Sequence, residues 1–420
     1  MSNYLLELAT ARRNGIPLGI TSVCSAHPTV LRAAVRRASA TKQHVLIEAT
    51  CNQVNHLGGY TGMTPADFVS LVKAIAAEEG LERSLLIFGG DHLGPNPWRK
   101  EHAEAALAKA RDMVEAYVAA GFSKIHIDTS MGCAGEPAAL DDRTIARRAA
   151  DLCQVAEDAA NAAGLPPPVY VLGTEVPVPG GADHMLDRVE PTSPEAARST
   201  ISIHREIFAA AGLDDAFERV LAFVVQPGVE FGSENFVEYN PPKAVNLAGV
   251  LRDHGKLVFE AHSTDYQPEE ALTALVRDGF SILKVGPGLT FAYRQALYGL
   301  DMIASELVPS YGTRPLVATM ERLMLEHPGD WQGHYHGDDA SLRLQRHYSY
   351  SDRIRYYWNR PEAASAVQTL LDALKGRSIP QPLLHQFLPG WATAGSNAEG
   401  ILLNAVDDVL AIYERAIHQR

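Results

Sequence analysis

Short apolar runs alternate with longer helix-patterned segments along the first three-quarters of the chain. Eight runs read as buried strands: "PLGITSVCSA" from Pro17, "HVLIEAT" from His44, "SLLIFGGDH" from Ser84, "KIHIDTS" from Lys124, "PVYVLGTE" from Pro168, "RVLAFVVQPG" from Arg219, "KLVFEAHS" from Lys256 and "SILKVGPG" from Ser281. Their starts are spaced by roughly 38 residues, the length of a βα unit with its loops. Each is followed by a helical pattern. "TPADFVSLVKAIAAEEG" opens with Thr64 as N-cap, Pro65 in the first turn and Asp67 at the capping-box position, and Gly80 suits its end. Strict alternation allows a (β/α)8 barrel or a doubly wound sheet. The count of eight favours the barrel, as do the polar or glycine-rich residues at nearly every strand end, where barrels build their sites. From about Pro309 the pattern changes to helices around an aromatic, His-rich stretch, "WQGHYHGDDASLRLQRHYSYSDRIRYYWNRP". The expectation is an α/β fold, with a TIM barrel over 1–308 and a helical extension over 309–420 packed on it. The His and Tyr of the extension read as packing groups. Arg353, Arg355 and Arg360 suit either a substrate phosphate or the acidic surface.

Composition narrows the function. The 420 residues are 46% hydrophobic and 21% charged, which suits a large core. The formal charge of −13 argues against nucleic acid or an anionic membrane as partner. Cys24, Cys51, Cys133 and Cys153 are scattered and form no C-x-x-C pair, which suits a reducing compartment. "MSNYLLELATARRNG" lacks the pattern of a signal peptide, and no window approaches a membrane span. A cytoplasmic location follows as an expectation. Homo-oligomerisation stays open.

The stretch "IFGGDHLGPNPW" carries the sharpest chemical signal, because an apolar run stops at two glycines and presents Asp91 beside His92. A lone Asp-His dipeptide more simply caps a strand, but other strand ends supply matching groups. Asp128 follows strand 4, Glu175 strand 5 and Gln226 strand 6, and strand 7 ends in Glu260-x-His262-x-x-Asp265. His92, Asp128, Glu175, Glu260 and His262 form a mixed imidazole–carboxylate ligand set, suited to zinc, manganese or iron. His126 shares a face with Asp128, as His262 does with Glu260. "TCNQVNHLGGYTG" offers the amides of Asn52, Gln53 and Asn55 to sugar hydroxyls. Gly286 and Gly288 precede a helix where barrels bind phosphate on backbone N–H groups, or simply form a tight turn. Glu48, Gln226, Glu260 and Asp265 complete the expected substrate contacts. Lys284 is a weaker Schiff-base candidate. Nucleotide-binding loops and kinase signatures are absent from the sequence.

"EATCNQVNHLGGYTGMTPADF", "GGDHLGPNPW", "HIDTSMGCAGEP", "GTEVPVPGG", "FEAHSTDYQ" and "LKVGPGLTFA" closely resemble the GatZ/KbaZ family, the Z-subunit proteins of D-tagatose-1,6-bisphosphate aldolase, sometimes labelled tagatose 6-phosphate kinases. The resemblance runs through the barrel and more loosely into the extension. It implies ketohexose-phosphate metabolism, either as a partner of a class II aldolase catalytic subunit or as an enzyme inverting C4 of a ketohexose phosphate such as D-tagatose 6-phosphate. The kinase label conflicts with the missing nucleotide motifs. Class II aldolases also end a strand in Asp-His, which implies proton transfer by Asp91 and metal ligation by His92 and His262. Their Gly-Thr-x-His-Gly run is replaced here by Gly173-Thr174-Glu175, so Glu175 is the expected third ligand, with Glu175 and Asp128 as further catalytic candidates. Their Asn-x-x-Thr-Asp phosphate motif is replaced by Gly-Pro-Gly.

Overall fold

Leu46 points inward in "VLIEAT", whereas Val45, Ile47 and Ala49 join the core beneath the surrounding helices. Period-two alternation of this kind, with both faces buried, is what a barrel wall requires. The computed structural model describes residues 4–173, 189–391 and 397–418. Its wall consists of β1 (Ile20–Cys24), β2 (Val45–Thr50), β3 (Leu86–Leu93), β4 (Lys124–Ile127), β5 (Val169–Leu172), β6 (Val220–Val224), β9 (Val258–Ala261) and β10 (Phe280–Val285). They close in the order β1-β10-β9-β6-β5-β4-β3-β2, all pairs parallel. All eight expected strands are present. A small hairpin of β7 (Glu230–Phe231) and β8 (Phe236–Val237) follows β6.

The barrel interior is stratified. At its N-terminal end Ile20, Leu46, Ile87, Val258 and Ile282 form an apolar layer, on which the first helix, Tyr4–Arg13, seats Leu5, Leu8 and Ala9. The inward positions above are charged: Glu48, Lys124, Glu260 and Lys284 are all buried. A strand of a few residues thus supplies one apolar floor position and one or two groups for chemistry.

Outer helices start as their sequences dictate. In the helix Pro65–Glu78, Thr64 accepts from the Asp67 amide and Asp67 accepts from the Thr64 amide, the expected capping box. Gly80 then adopts φ +67°. No described helix is long and apolar enough to cross a membrane.

The chain beyond 308 forms helices Pro315–Glu326, Asp339–Tyr348, Pro361–Leu374 and Gln381–Phe387 before the last helix, Ala398–Ile417. That last helix packs on Pro28–Thr41, Glu269–Arg277 and Pro287–Leu307, so it is part of the barrel's outer ring. Arg37 fixes it through Asp407 at 2.8 Å, and Tyr413 Oη donates to the Thr264 carbonyl at 2.7 Å. The His and Tyr of the extension do pack: Tyr298 Oη meets His347 Nδ1 at 2.6 Å, and the other ring nitrogen of His347 meets Glu321 at 3.0 Å.

Candidate active site

The two glycines before Asp91-His92 each make room for a neighbour. A Cβ on Gly89 would stand 2.5 Å from Glu48 Oε1, and one on Gly90 would stand 2.7 Å from Leu93 and 2.9 Å from Tyr117. Beyond them the β3–β4 register shifts between Gly90 and Leu93, and His92 adopts φ +50°. Neighbours in a regular strand point to opposite faces; a bulge with a left-handed residue re-aims one of them. Asp91 and His92 therefore both line the cavity at the barrel mouth.

Three imidazoles meet there. One donor atom each from Asp91, His92, His126 and His262 lies within 4.8 Å of the others. The His92 ring stands 4.8 Å from both other rings, centroid to centroid. Each ring is oriented from behind. His92 Nδ1 meets Asp128 Oδ2 at 2.8 Å, and Asp128 is itself held by Ser130 Oγ at 2.6 Å. His262 Nε2 meets Glu260 Oε1 at 2.9 Å. His126 Nε2 donates to the Gly173 carbonyl at 3.0 Å. Carboxylate or carbonyl backing on one ring nitrogen directs the lone pair of the other toward a cation.

A carboxylate and three imidazoles within reach of one point form a donor set that fits a divalent metal. His126 Nδ1 lies 3.1 Å from the His92 amide nitrogen and 3.0 Å from Asp91 Oδ1. Glu48, Asp91, Asp128 and Glu260 are buried here with Lys124 and Lys284, so that among the described residues carboxylates outnumber ammonium groups, which also suits a cation. Burial holds His262 neutral, its pKa pushed down to about 3. For His92 burial acts the same way, but Asp91 and Asp128 outweigh it and raise the pKa. That ring is electron-rich and attracts a proton or a metal.

Beneath the imidazoles lies a lysine–carboxylate lattice. Lys124 Nζ bridges Glu48 Oε1 at 2.5 Å and Glu260 Oε2 at 2.7 Å. Lys284 Nζ meets Glu48 Oε2 at 2.5 Å and ion-pairs with Asp91. Burial would lower the Lys284 pKa, but Asp91, Cys24, Glu48 and Glu260 raise it well above the usual lysine range. Ion pairs with Glu48 and Asp91 occupy the amine, which weighs against the Schiff-base reading. Burial would likewise raise the Asp91 pKa, yet His92, Lys284 and His126 hold it well below the carboxylate range.

The cavity above is walled by loops of both parts of the chain, including Asn52, Tyr60, Phe231, Ser263, Arg355 and Tyr356. Residues 5–418 match the family described as D-tagatose-1,6-bisphosphate aldolase subunit GatZ/KbaZ-like. The chain belongs to this family. It is 71% identical over 419 residues to the D-tagatose 6-phosphate 4-epimerase of Agrobacterium fabrum (strain C58 / ATCC 33970), covering 99% of each chain. It is also similar to the crystal structure of a probable tagatose 6 phosphate kinase from Sinorhizobium meliloti 1021, with 52% identity and a TM-score of 0.88 over 95% of this chain and 100% of that one.

Against this GatZ/KbaZ-like frame the expected residues sort by depth. Asp91, His92 and His262 meet at the cavity, and His126, expected from the sequence only as a strand-face residue, lies fully buried within reach behind them. Its parity with Asp128 was the available signal. Asp128 instead orients His92 from behind. Glu175 lies outside the described residues. Glu48 and Glu260 are fully buried beneath the cavity, paired to lysines and closed to direct substrate contact. Gln53 lines the cavity, but its amide serves the loop, accepting from the Thr50 amide at 3.0 Å and donating to the Cys24 carbonyl at 3.3 Å. Asn55 is spent similarly on Cys51, Leu57 and Gly59. Gln226 accepts from the Gly228 and Val229 amides at 2.8 Å and is not part of the cavity wall. The amides of Gly286 and Gly288, expected on phosphate, donate to Asp265 Oδ1 at 2.9 and 2.7 Å. Despite those bonds, burial pushes the Asp265 pKa up to about 6.

Proposed function

We propose that this chain interconverts D-tagatose 6-phosphate and D-fructose 6-phosphate by breaking and remaking the C3–C4 bond of the ketose. The observation that carries the reading is the convergence of Asp91, His92 and His262 on one cavity, with His126 buried within reach behind them, in a chain 71% identical to a protein named for that 4-epimerisation. A divalent cation held by the three imidazoles, with Asp91 beside it, would supply a Lewis acid for the C2 carbonyl oxygen. Zinc, manganese and iron all suit this donor set.

Asp91 is the base. Ionised and beside Lys284, its carboxylate accepts the C4 hydroxyl proton. The C3–C4 pair withdraws to C3 and onto the C2 oxygen, and C4 becomes an aldehyde. The aldehyde turns its other face, C3 attacks it, and Asp91 returns the proton to the new C4 oxygen. That return is downhill, because Asp91 is a far stronger acid than a sugar hydroxyl. Asp128 and Glu260 fix the rings of His92 and His262, while Lys284 holds Asp91 over the floor. These are positioning roles, and they account for the lattice of buried charge.

The test uses purified protein of determined metal content. Metal-loaded protein is expected to convert D-tagatose 6-phosphate to D-fructose 6-phosphate, and chelation to stop it. A metal-loaded protein that converts none would overturn the reading in favour of support for a separate class II aldolase catalytic subunit.

A further inference from the structure

The reacting groups occupy one end of a larger space. The cavity that holds Asp91 and His262 adjoins a smaller chamber walled by Ser25, His27, Thr290 and Asn359, and Arg355 lines both. Arg355 comes from the extension, and of the three arginines noted there it alone reaches this space. Its guanidinium lies 4.4 Å from the ring centroid of Tyr356, and Nη2 donates to Tyr356 Oη at 2.9 Å. Nη1 donates to the carbonyls of Ser351 and Asp352. Every one of those acceptors is neutral. Among the described residues Arg355 ion-pairs with no carboxylate, in contrast to Lys284, the other cationic side chain of the wall. The nearby carboxylates are committed elsewhere: Asp352 to Thr290 at 2.7 Å and Arg294 at 3.1 Å, Asp265 to the two glycine amides.

We propose that Arg355 binds the phosphate of the substrate, so that the C-terminal extension carries the anion subsite that the glycine amides after β10 do not provide. An oriented guanidinium in contact with no carboxylate, at the wall shared by the cavity and the chamber, suits a charge-assisted contact to a dianion. The chamber adds further polar groups without partners. The buried Nδ1 of His27 has no partner among the described residues, and the helix Pro28–Thr41 begins there without a side-chain cap. With phosphate anchored at this end, the C4–C6 aldehyde half stays on the enzyme while C4 turns. The identity of the phosphate's carrier rests on the epimerase reading; the anion subsite does not.

Two measurements on metal-loaded protein separate the claims. In calorimetric titration with inorganic phosphate, Arg355→Met is expected to lose about 10- to 100-fold in affinity, the effect of removing a charge-assisted contact, with Arg355→Lys between it and wild type. In turnover, Arg355→Met is expected to lose a similar factor in kcat/KM for D-tagatose 6-phosphate and a clearly smaller one for unphosphorylated D-tagatose. Phosphate binding equal to wild type in Arg355→Met overturns the subsite, as does an equal loss with both sugars, which marks a structural role. Arg355-dependent phosphate binding in a protein without epimerase activity sustains the subsite and removes the epimerase reading. Where neither sugar is turned over, the titration alone decides.

Discussion

Asp91 lies between the Lys284 ammonium below it and the imidazoles of His92 and His126 beside it. Replacing it with Asn keeps its shape and removes its basicity. Asp91→Asn is expected to keep the melting temperature within a few degrees and to lower kcat by about 10²- to 10⁴-fold, the usual worth of a positioned base. Undiminished turnover would sink the role. His126 and Asp128 separate ligand from support in a second measurement, metal affinity by equilibrium dialysis. Asp128→Asn should weaken metal binding by roughly 10- to 100-fold, as loss of an outer partner does, and His126→Ala by more than that. The reverse order would return the ligand role to Asp128. At this scale the sequence was partly legible. Asp91, His92 and His262 announce themselves at strand ends, but that His126 joins their cluster while Asp128 backs His92 depends on the bulge in β3 and on the Gly173 carbonyl, and neither is written in residue type.

Elements decide how these side chains are aimed. The bulge after Gly90 and the two glycines before it convert one strand end into a two-residue presentation. Gly89→Ala forces a methyl group into the Glu48 carboxylate, and overpacking of this kind costs about 1–3 kcal/mol. A lower melting temperature, with reduced activity through the displaced Glu48–Lys124–Lys284 lattice, is the expected outcome; an unchanged melt would contradict the packing argument. The loop after β9 is tied to the helix Pro287–Leu307 by Asp265, and this tie titrates. Its folded pKa of about 6 lies above the unfolded value of about 3.9, so the folded state binds the proton more tightly. Between pH 4 and 6 the folded state therefore loses stability as pH rises, by up to about 3 kcal/mol. Asp265→Asn, which can still accept both amides, should gain stability relative to wild type across that window. A gap that shrinks with rising pH would contradict the assignment. The eight strands were legible because each is a short apolar run followed by a capped helix. The committed amides of Gln53, Gln226, Gly286 and Gly288 were not, because a side chain that serves its own loop and one that serves a ligand have the same composition.

At the scale of the molecule, barrel and extension divide the work. Strands and their ends supply Asp91, the imidazoles and the lattice of buried charge beneath them. The extension supplies Arg355 and Tyr356 to the cavity and sends its last helix back into the barrel's outer ring, where Arg37 and Thr264 receive it. The helical pattern beyond 308 was legible, but its return to the barrel was not, since contacts this distant in sequence leave no local periodicity. The arrangement is that of one site completed by the whole chain, and the proposed cleavage of C3–C4 loses no proton from carbon 4. The direct test is to run metal-loaded protein on D-tagatose 6-phosphate in deuterium oxide and locate deuterium in the product by NMR. Cleavage of C3–C4 gives D-fructose 6-phosphate that retains protium at C4; deuterium at C4, or no D-fructose 6-phosphate at all, would contradict it.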